Sequence, residues 1–298
     1  APPSRKSSPW SAGATTPGGS PGRLMTMRDG VKPGEEVALS DPYYARYPNF
    51  VRQAEGRIET VTLDPTESFE PRVEDFEAAV DSGTAAMLIN SPQNPTGAVM
   101  SGESIESLVR LGERTDTRLV SDEVYHGLAF DAEEHSVLEF TDDAFVLDGI
   151  SKRYGMTGWR LGWIVAPRDE VDAINTLVQN LLICAPNFVQ DAATAAIRTE
   201  PTWLDEIRDT YRERRDLLLE AVRRWGLDLG YAPSGAYYLL LDVSDLQGDA
   251  FEIADRFLEE AGVAMTPGPD FGTQAEDTLR ASFATSTDAI EEAIERLD

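Results

Sequence analysis

The chain has 298 residues, 41% of them apolar, with a formal net charge of −27 and a single cysteine, Cys184. That length supplies core for one large or two modest domains, and no apolar run approaches the ~18 residues that a membrane helix needs. Such an acidic surface disfavours nucleic acid and anionic lipid, one cysteine excludes an internal disulfide, and no apolar leader is visible; together these predict a cytoplasmic protein.

Residues 1–22 are rich in Ser, Pro, Gly and Ala without periodic apolar positions, and they predict a disordered segment. From Glu36 strands and helices alternate. Strands are predicted over Glu36–Leu39, Ile58–Leu63, Ala85–Asn90, Leu119–Val120, Phe145–Leu147 and Leu161–Ala166. Helices are predicted over Val73–Asp81 and Ser101–Arg114, the latter with Ser101 as its N-cap. This alternation predicts an α/β domain over residues 23–200, with a mostly parallel sheet and helices on both faces.

Helices follow at Val171–Ile183, Phe188–Ile197 and Pro201–Trp225, the last with Pro201 in its first turn. Its run Arg212–Arg215 reads as a solvated face paired with acids. Strands at Ala236–Asp242, Val263–Thr266 and Thr278–Phe283, with helices at Ala250–Ala261 and Asp288–Leu297, predict a smaller α+β domain over 201–298.

The basic residues are unevenly chosen: 23 arginines against three lysines, Lys6, Lys32 and Lys152. Lysine scarcity with abundant acid is the composition of a protein adapted to molar salt, where the Debye length falls to ~3 Å. An ordinary acidic protein would not need to lose lysine. Lys152 is retained in a small-residue loop, Asp148-Gly149-Ile150-Ser151-Lys152-Arg153-Tyr154-Gly155. An amine forms an imine with an aldehyde and a guanidinium does not usefully do so, so this loop is the place for Schiff-base chemistry.

Polar motifs follow the apolar runs: Ser91-Pro92-Gln93-Asn94-Pro95-Thr96-Gly97, Ser121-Asp122-Glu123-Val124-Tyr125, Ser151-Lys152 with Arg160, and Leu279-Arg280-Ala281-Ser282-Phe283. Singly each has a plain explanation. Asn-Pro-Thr-Gly is a good turn, Asp122 is a possible helix cap, and either arginine is a possible ion-pair partner.

Together, in this order and spacing, they resemble the fold-type I class I/II aminotransferases that use pyridoxal 5′-phosphate. The resemblance implies that Lys152 holds the cofactor aldehyde and moves the substrate proton, and that Asp122 pairs with the pyridine nitrogen. It implies that Tyr125 and Asn94 bond the ring hydroxyl, that Arg160 grips the phosphate with Ser151 nearby, and that Arg280 pairs with the substrate carboxylate. Tyr44, in Pro42-Tyr43-Tyr44, matches the ring that stacks on the cofactor; a core tyrosine is the other reading. Gly19 and Ser20 match the remains of a glycine-rich phosphate cup. His126 is either a supporting residue or an ordinary one. Where many members carry serine, this chain has Gly149.

Members of the family are longer at the N-terminus, so the chain reads as truncated there or as a native short form. The implied reaction moves an amino group from an amino acid to a 2-oxo acid, 2-oxoglutarate foremost, by a ping-pong route in a homodimer. A lyase or decarboxylase on the same scaffold, and an impaired cofactor-binding remnant, are the other readings; fold alone does not choose. The donor amino acid stays open.

Overall fold

A computed structural model describes residues 11–16, 26–27, 30–199, 202–227 and 229–298. Its larger sheet has strands β1 (Ser11–Thr16), β2 (Glu36–Asp41), β3 (Arg57–Thr62), β4 (Thr84–Asn90), β5 (Arg118–Asp122), β6 (Ala144–Gly149) and β7 (Gly162–Ala166). They lie in the order β1-β7-β6-β5-β4-β2-β3. The five strands from β3 to β6 pair in parallel, while β7 runs antiparallel to β6 and β1 antiparallel to β7. The fold is α/β.

Both faces of this sheet are covered, and the strands show why. Val37, Leu39, Ala86, Leu88, Val120, Phe145, Leu147 and Ile164 join one apolar cluster. The residues between them, Ala38, Met87, Ile89, Leu119 and Val146, join another. Successive strand side chains point to opposite faces, so an apolar run packs in two directions at once. The helix Gly102–Thr115 closes one face with Ile105, Leu108, Val109 and Leu111 buried, and Ser101 Oγ caps it by accepting from the Ser104 amide at 3.2 Å.

A second, antiparallel sheet contains β8 (Tyr238–Asp242), β9 (Thr266–Pro267) and β10 (Thr278–Ser282), with β10 in the middle. The long helix Leu204–Arg224, with Ala250–Arg256 and Thr287–Leu297, packs with it in one cluster. Val124, Tyr125, Leu128 and Phe130, which follow β5 in the chain, belong to that same cluster. Among the described residues no helix is long and apolar enough to cross a membrane.

Several elements depart from expectation. Ser11–Thr16 is a strand on the edge of the large sheet, not a disordered segment. Its small residues carry no apolar period, and the backbone ladder to β7 organises it. The strand expected over Leu161–Ala166 forms from Gly162 and is an antiparallel member of the expected mostly parallel sheet. The helix expected from Pro201 starts at Leu204, and Pro201 itself lies outside the described residues. Val263–Thr266 is mostly irregular, because the turn Phe257–Ala261 ends at Gly262 in the left-handed region and the strand forms only at Thr266–Pro267. The helix Tyr47–Gln53 was not foreseen.

Arg212–Arg215 is only partly a solvated face. Arg215 is buried, where it pairs with Asp131 at 2.5 Å and donates to the Pro233 carbonyl at 2.8 Å. Asp131 lies in the loop between β5 and β6, so this ion pair fastens the long helix to that loop.

Candidate active site

Parallel strands end together, so the residues just past their carboxyl ends converge. Asp41, Asn90, Asp122 and Gly149 are the last residues of β2, β4, β5 and β6. Asn90 and Asp122 are register partners. Beyond these ends lies a cavity of about 260 Å³ lined by Tyr44, Asn94, Asp122, Tyr125, Ser151, Lys152, Arg160 and Arg280. All eight residues were singled out from sequence. Gly19 and Ser20 lie outside the described residues.

Asp122 places a fully buried carboxyl group in the cavity wall. Tyr47 donates its hydroxyl to Asp122 Oδ2 at 2.6 Å, and Asn90 Nδ2 donates to the Asp122 carbonyl at 2.7 Å. Asn90 Oδ1 accepts from the Asn94 amide at 2.9 Å. Asn94 Oδ1 in turn accepts from Arg280 Nη1 at 3.0 Å. One chain of hydrogen bonds thus joins the end of β5 to the middle of β10. The Arg280 guanidinium also donates to Thr266 Oγ1 and rests against the rings of Tyr238 at 4.5 Å and Phe271 at 4.6 Å. Its buried Nε has no acceptor among the described residues. A planar cation held this way is suited to a carboxylate.

Lys152 Nζ lies 5.4 Å from the Tyr125 ring centre and 5.5 Å from that of Tyr237. Burial, with Tyr238 and Tyr237 beside it, pushes the Tyr125 hydroxyl well above its ordinary range. Tyr125 therefore keeps its proton at neutral pH and shares a 3.1 Å contact with the Tyr238 hydroxyl. On the far side, Arg160 takes a left-handed backbone conformation and donates to the Thr157 carbonyl, while Thr157 Oγ1 donates to the Ser151 carbonyl at 2.7 Å. Gly149 has a steric reason: a Cβ there would sit 2.8 Å from the Leu161 carbonyl oxygen, where β6 and β7 approach closely.

Tyr47, Asn90, Thr157 and Tyr238 also line the cavity and were not singled out as site residues. Tyr47 follows Tyr44 by three at the start of a helix, and Asn90 ends its strand opposite Asp122; both positions were visible. Tyr238 lies in Ser234-Gly235-Ala236-Tyr237-Tyr238, which by resemblance matches a small-domain strand near the substrate mouth without a catalytic role.

Behind Asp122 the neighbouring Glu123 points away from the cavity. Its Oε1 accepts from Ser121 Oγ, Ser136 Oγ and the Val137 amide at 3.0–3.1 Å. Its Oε2 lies 3.4 Å from Nδ1 of His126, whose pKa burial pushes down. Burial raises the Glu123 pKa from 4.5 to about 7, against those hydrogen bonds. The folded chain therefore holds this proton more tightly than the unfolded one. The group's contribution to stability declines as pH rises from about 4.5 to about 7, then stays flat. Burial shifts Asp148 in the same direction. Glutamine fits the site, with its oxygen on the three donors and its amide towards His126. In urea melts, Glu123→Gln is expected to gain about 2–3 kcal/mol on wild type between pH 5 and pH 8. An unchanged difference across that range would count against a protonated Glu123.

The sequence profile of aminotransferase class I and II matches residues 9–297. The aspartate/prephenate aminotransferase of Thermus thermophilus is 37% identical over 268 residues, covering 89% of this chain and 69% of its own. The valine–pyruvate aminotransferase of Mycobacterium tuberculosis is 34% identical over 286 residues, covering 95% and 74%. Among solved structures, the aspartate aminotransferase from Thermus thermophilus with maleate superposes with a TM-score of 0.90 at 36% identity, covering 95% of this chain and 74% of that one. The aromatic aminotransferase from Pyrococcus horikoshii gives the same TM-score of 0.90 at 31% identity, covering 95% and 77%. By profile, by identity and by fold, this chain belongs to the class I and II aminotransferase family.

Proposed function

We propose that the protein is a pyridoxal-phosphate-dependent aminotransferase that moves an amino group from an amino acid to 2-oxoglutarate. The observation that carries this reading is a single cavity lined by an amine, a buried carboxylate and two guanidinium groups: Lys152, Asp122, Arg160 and Arg280. That donor set fits the cofactor, which presents an aldehyde, a ring nitrogen and a phosphate. When bound, the cofactor supplies the aldehyde that captures the donor amine and the ring that takes up the electron pair left when Cα loses its proton.

The chain's own residues have the following proposed roles. Lys152 Nζ would hold the cofactor's aldehyde carbon and, as the cavity's amine, would serve as the base that moves the substrate Cα proton. Asp122, braced by Tyr47, keeps a proton on the ring nitrogen. Tyr125 donates its hydroxyl proton to the ring oxygen. Because Asn94 Oδ1 accepts from Arg280, its amide nitrogen is the group available to donate there. Arg160 would hold the phosphate and Tyr44 would contribute an aromatic face for the ring. Arg280 aligns the substrate by its α-carboxylate, which sets the Cα–H bond for proton removal.

Two half-reactions share this machinery. The first releases the donor's 2-oxo acid, and the second returns the amino group to 2-oxoglutarate. The named relatives act on aspartate, aromatic amino acids or valine, and these supply the donor panel.

A second copy of the chain is part of the reading, supported by apolar residues exposed near the cavity mouth. The Trp159 and Phe188 rings meet at a tilt, with centroids 6.4 Å apart, and Phe188 is 68% and Ile183 76% exposed. The net charge of −27 with three lysines supports a protein that works in high salt, so the assay belongs in molar KCl. The test incubates purified protein with pyridoxal phosphate and L-aspartate, L-phenylalanine or L-valine. Release of the donor's own 2-oxo acid with transfer of nitrogen to 2-oxoglutarate is expected. Pyruvate, ammonia and sulfide from L-cysteine, or loss of CO₂ from any of the donors, without transfer of nitrogen, would favour the lyase or decarboxylase reading.

A further inference from the structure

Asp41 ends β2 with 1% of its surface exposed. A buried carboxylate needs donors, and it finds them on the other sheet's side of the molecule. Thr273 donates its amide at 3.0 Å and its hydroxyl at 2.8 Å to Oδ2, and the Gln274 amide donates at 3.2 Å to Oδ1. These partners lie 232 and 233 residues further along the chain.

The turn that supplies them is shaped for the contact. Gly272 has φ +120°, and a Cβ there would overlap the Asp41 carboxylate. Only glycine gives both the backbone conformation and the room. Alongside, the Tyr43 amide donates to the Phe271 carbonyl at 2.8 Å, and Ala45 packs against Phe271, Leu240 and Ala275. Phe271 is 2% exposed and its ring lies 4.6 Å from the Arg280 guanidinium. Three residues beyond Asp41 the chain reaches Tyr44 in the cavity wall.

We propose that Asp41 is a positioning residue for substrate binding: its carboxylate fastens the Phe271–Gln274 turn to the end of β2, fixing the aromatic platform that aims Arg280 into the cavity. Asp41 touches neither substrate nor cofactor and acts through Phe271 and Arg280. This inference rests on the reading of Arg280 as the substrate-carboxylate residue. Substrate affinity therefore depends on a hydrogen-bonded clasp between two sheets as well as on the arginine itself.

The experiment titrates cofactor-loaded wild type, Asp41→Asn, Gly272→Ala and Arg280→Lys with L-aspartate and with L-phenylalanine in single-turnover absorbance measurements. Amide hydrogen exchange is followed in parallel at Thr273 and Gln274. Asparagine keeps the shape of Asp41 but turns one acceptor into a donor that faces donors. Asp41→Asn and Gly272→Ala are each expected to weaken apparent donor affinity about tenfold, with a much smaller fall in the maximum rate, and to speed exchange at both amides.

A purely structural Asp41 would lower the melting temperature while leaving affinity unchanged, and that result overturns the proposal. So does an equal loss of affinity and maximum rate. The two readings separate cleanly: if Arg280→Lys leaves affinity intact, the arginine assignment fails. If Arg280→Lys weakens binding and Asp41→Asn does not, only the clasp fails.

Discussion

Replacing Lys152 by alanine is expected to leave a folded protein whose amino-group transfer falls by about 10⁴-fold or more. The size follows from two duties resting on one atom. Nζ is the proposed covalent anchor of the cofactor aldehyde and the proposed base at the substrate Cα. Among the cavity-lining residues it is the only amine, because the other cations, Arg160 and Arg280, are guanidinium groups. Two measurements check this. Single-turnover transfer to 2-oxoglutarate reads the chemistry. Borohydride reduction of cofactor-loaded protein, followed by peptide mass mapping, reads the anchor: wild type gains the reduced cofactor on the peptide carrying Lys152, and the variant gains nothing. A variant that still transfers nitrogen at a tenth of the wild-type rate would remove Lys152 from its role.

Asp122 carries the second large effect, and it separates into two parts. Chemically, losing the carboxylate that holds the ring proton is expected to slow transfer about 10²–10³-fold in Asp122→Asn. Structurally, Asp122→Ala also removes the buried acceptor of the Tyr47 hydroxyl, at a cost of about 1–3 kcal/mol. Tyr47→Phe distinguishes the two, since it keeps the carboxylate and deletes its brace. Its expected loss in kcat is about tenfold. Combined with Asp122→Ala, Tyr47→Phe should cost almost nothing further, because the interaction it reports is already gone. A full additional penalty in the double variant would mean that Tyr47 acts independently of Asp122.

Much of the site was legible because its parts are local. Asn94, Asp122, Tyr125 and Lys152 each sit within a few residues of an apolar run, and a parallel sheet necessarily gathers the carboxyl ends of its strands. Arg280 was legible only through the resemblance carried by Leu279-Arg280-Ala281-Ser282-Phe283, since on its own it reads equally as an ion-pair partner.

What stayed hidden depends on distant register. Tyr238 meets Tyr125 across 113 residues and Asp41 meets Thr273 across 232, and no period or spacing along the chain encodes either contact. Arg215 looked like one member of a charged run, yet it is buried against Asp131 because the long helix docks on the loop after β5. β1 was missed for the opposite reason. Its Ser-Ala-Gly-Ala-Thr-Thr offers nothing apolar to read, and an edge strand needs only a neighbour's free backbone groups.

The apolar cluster that Val124, Tyr125, Leu128 and Phe130 share with the C-terminal helices has a consequence for how the molecule comes apart. A fragment cut near residue 201 would leave those four side chains on one piece and their packing partners on the other. Neither piece would hold a complete interior. Melting of the C-terminal part must therefore loosen the segment that carries Tyr125 in the cavity wall, and any molecule that bridges Asp122 and Arg280 would raise the unfolding temperature of both parts as one event.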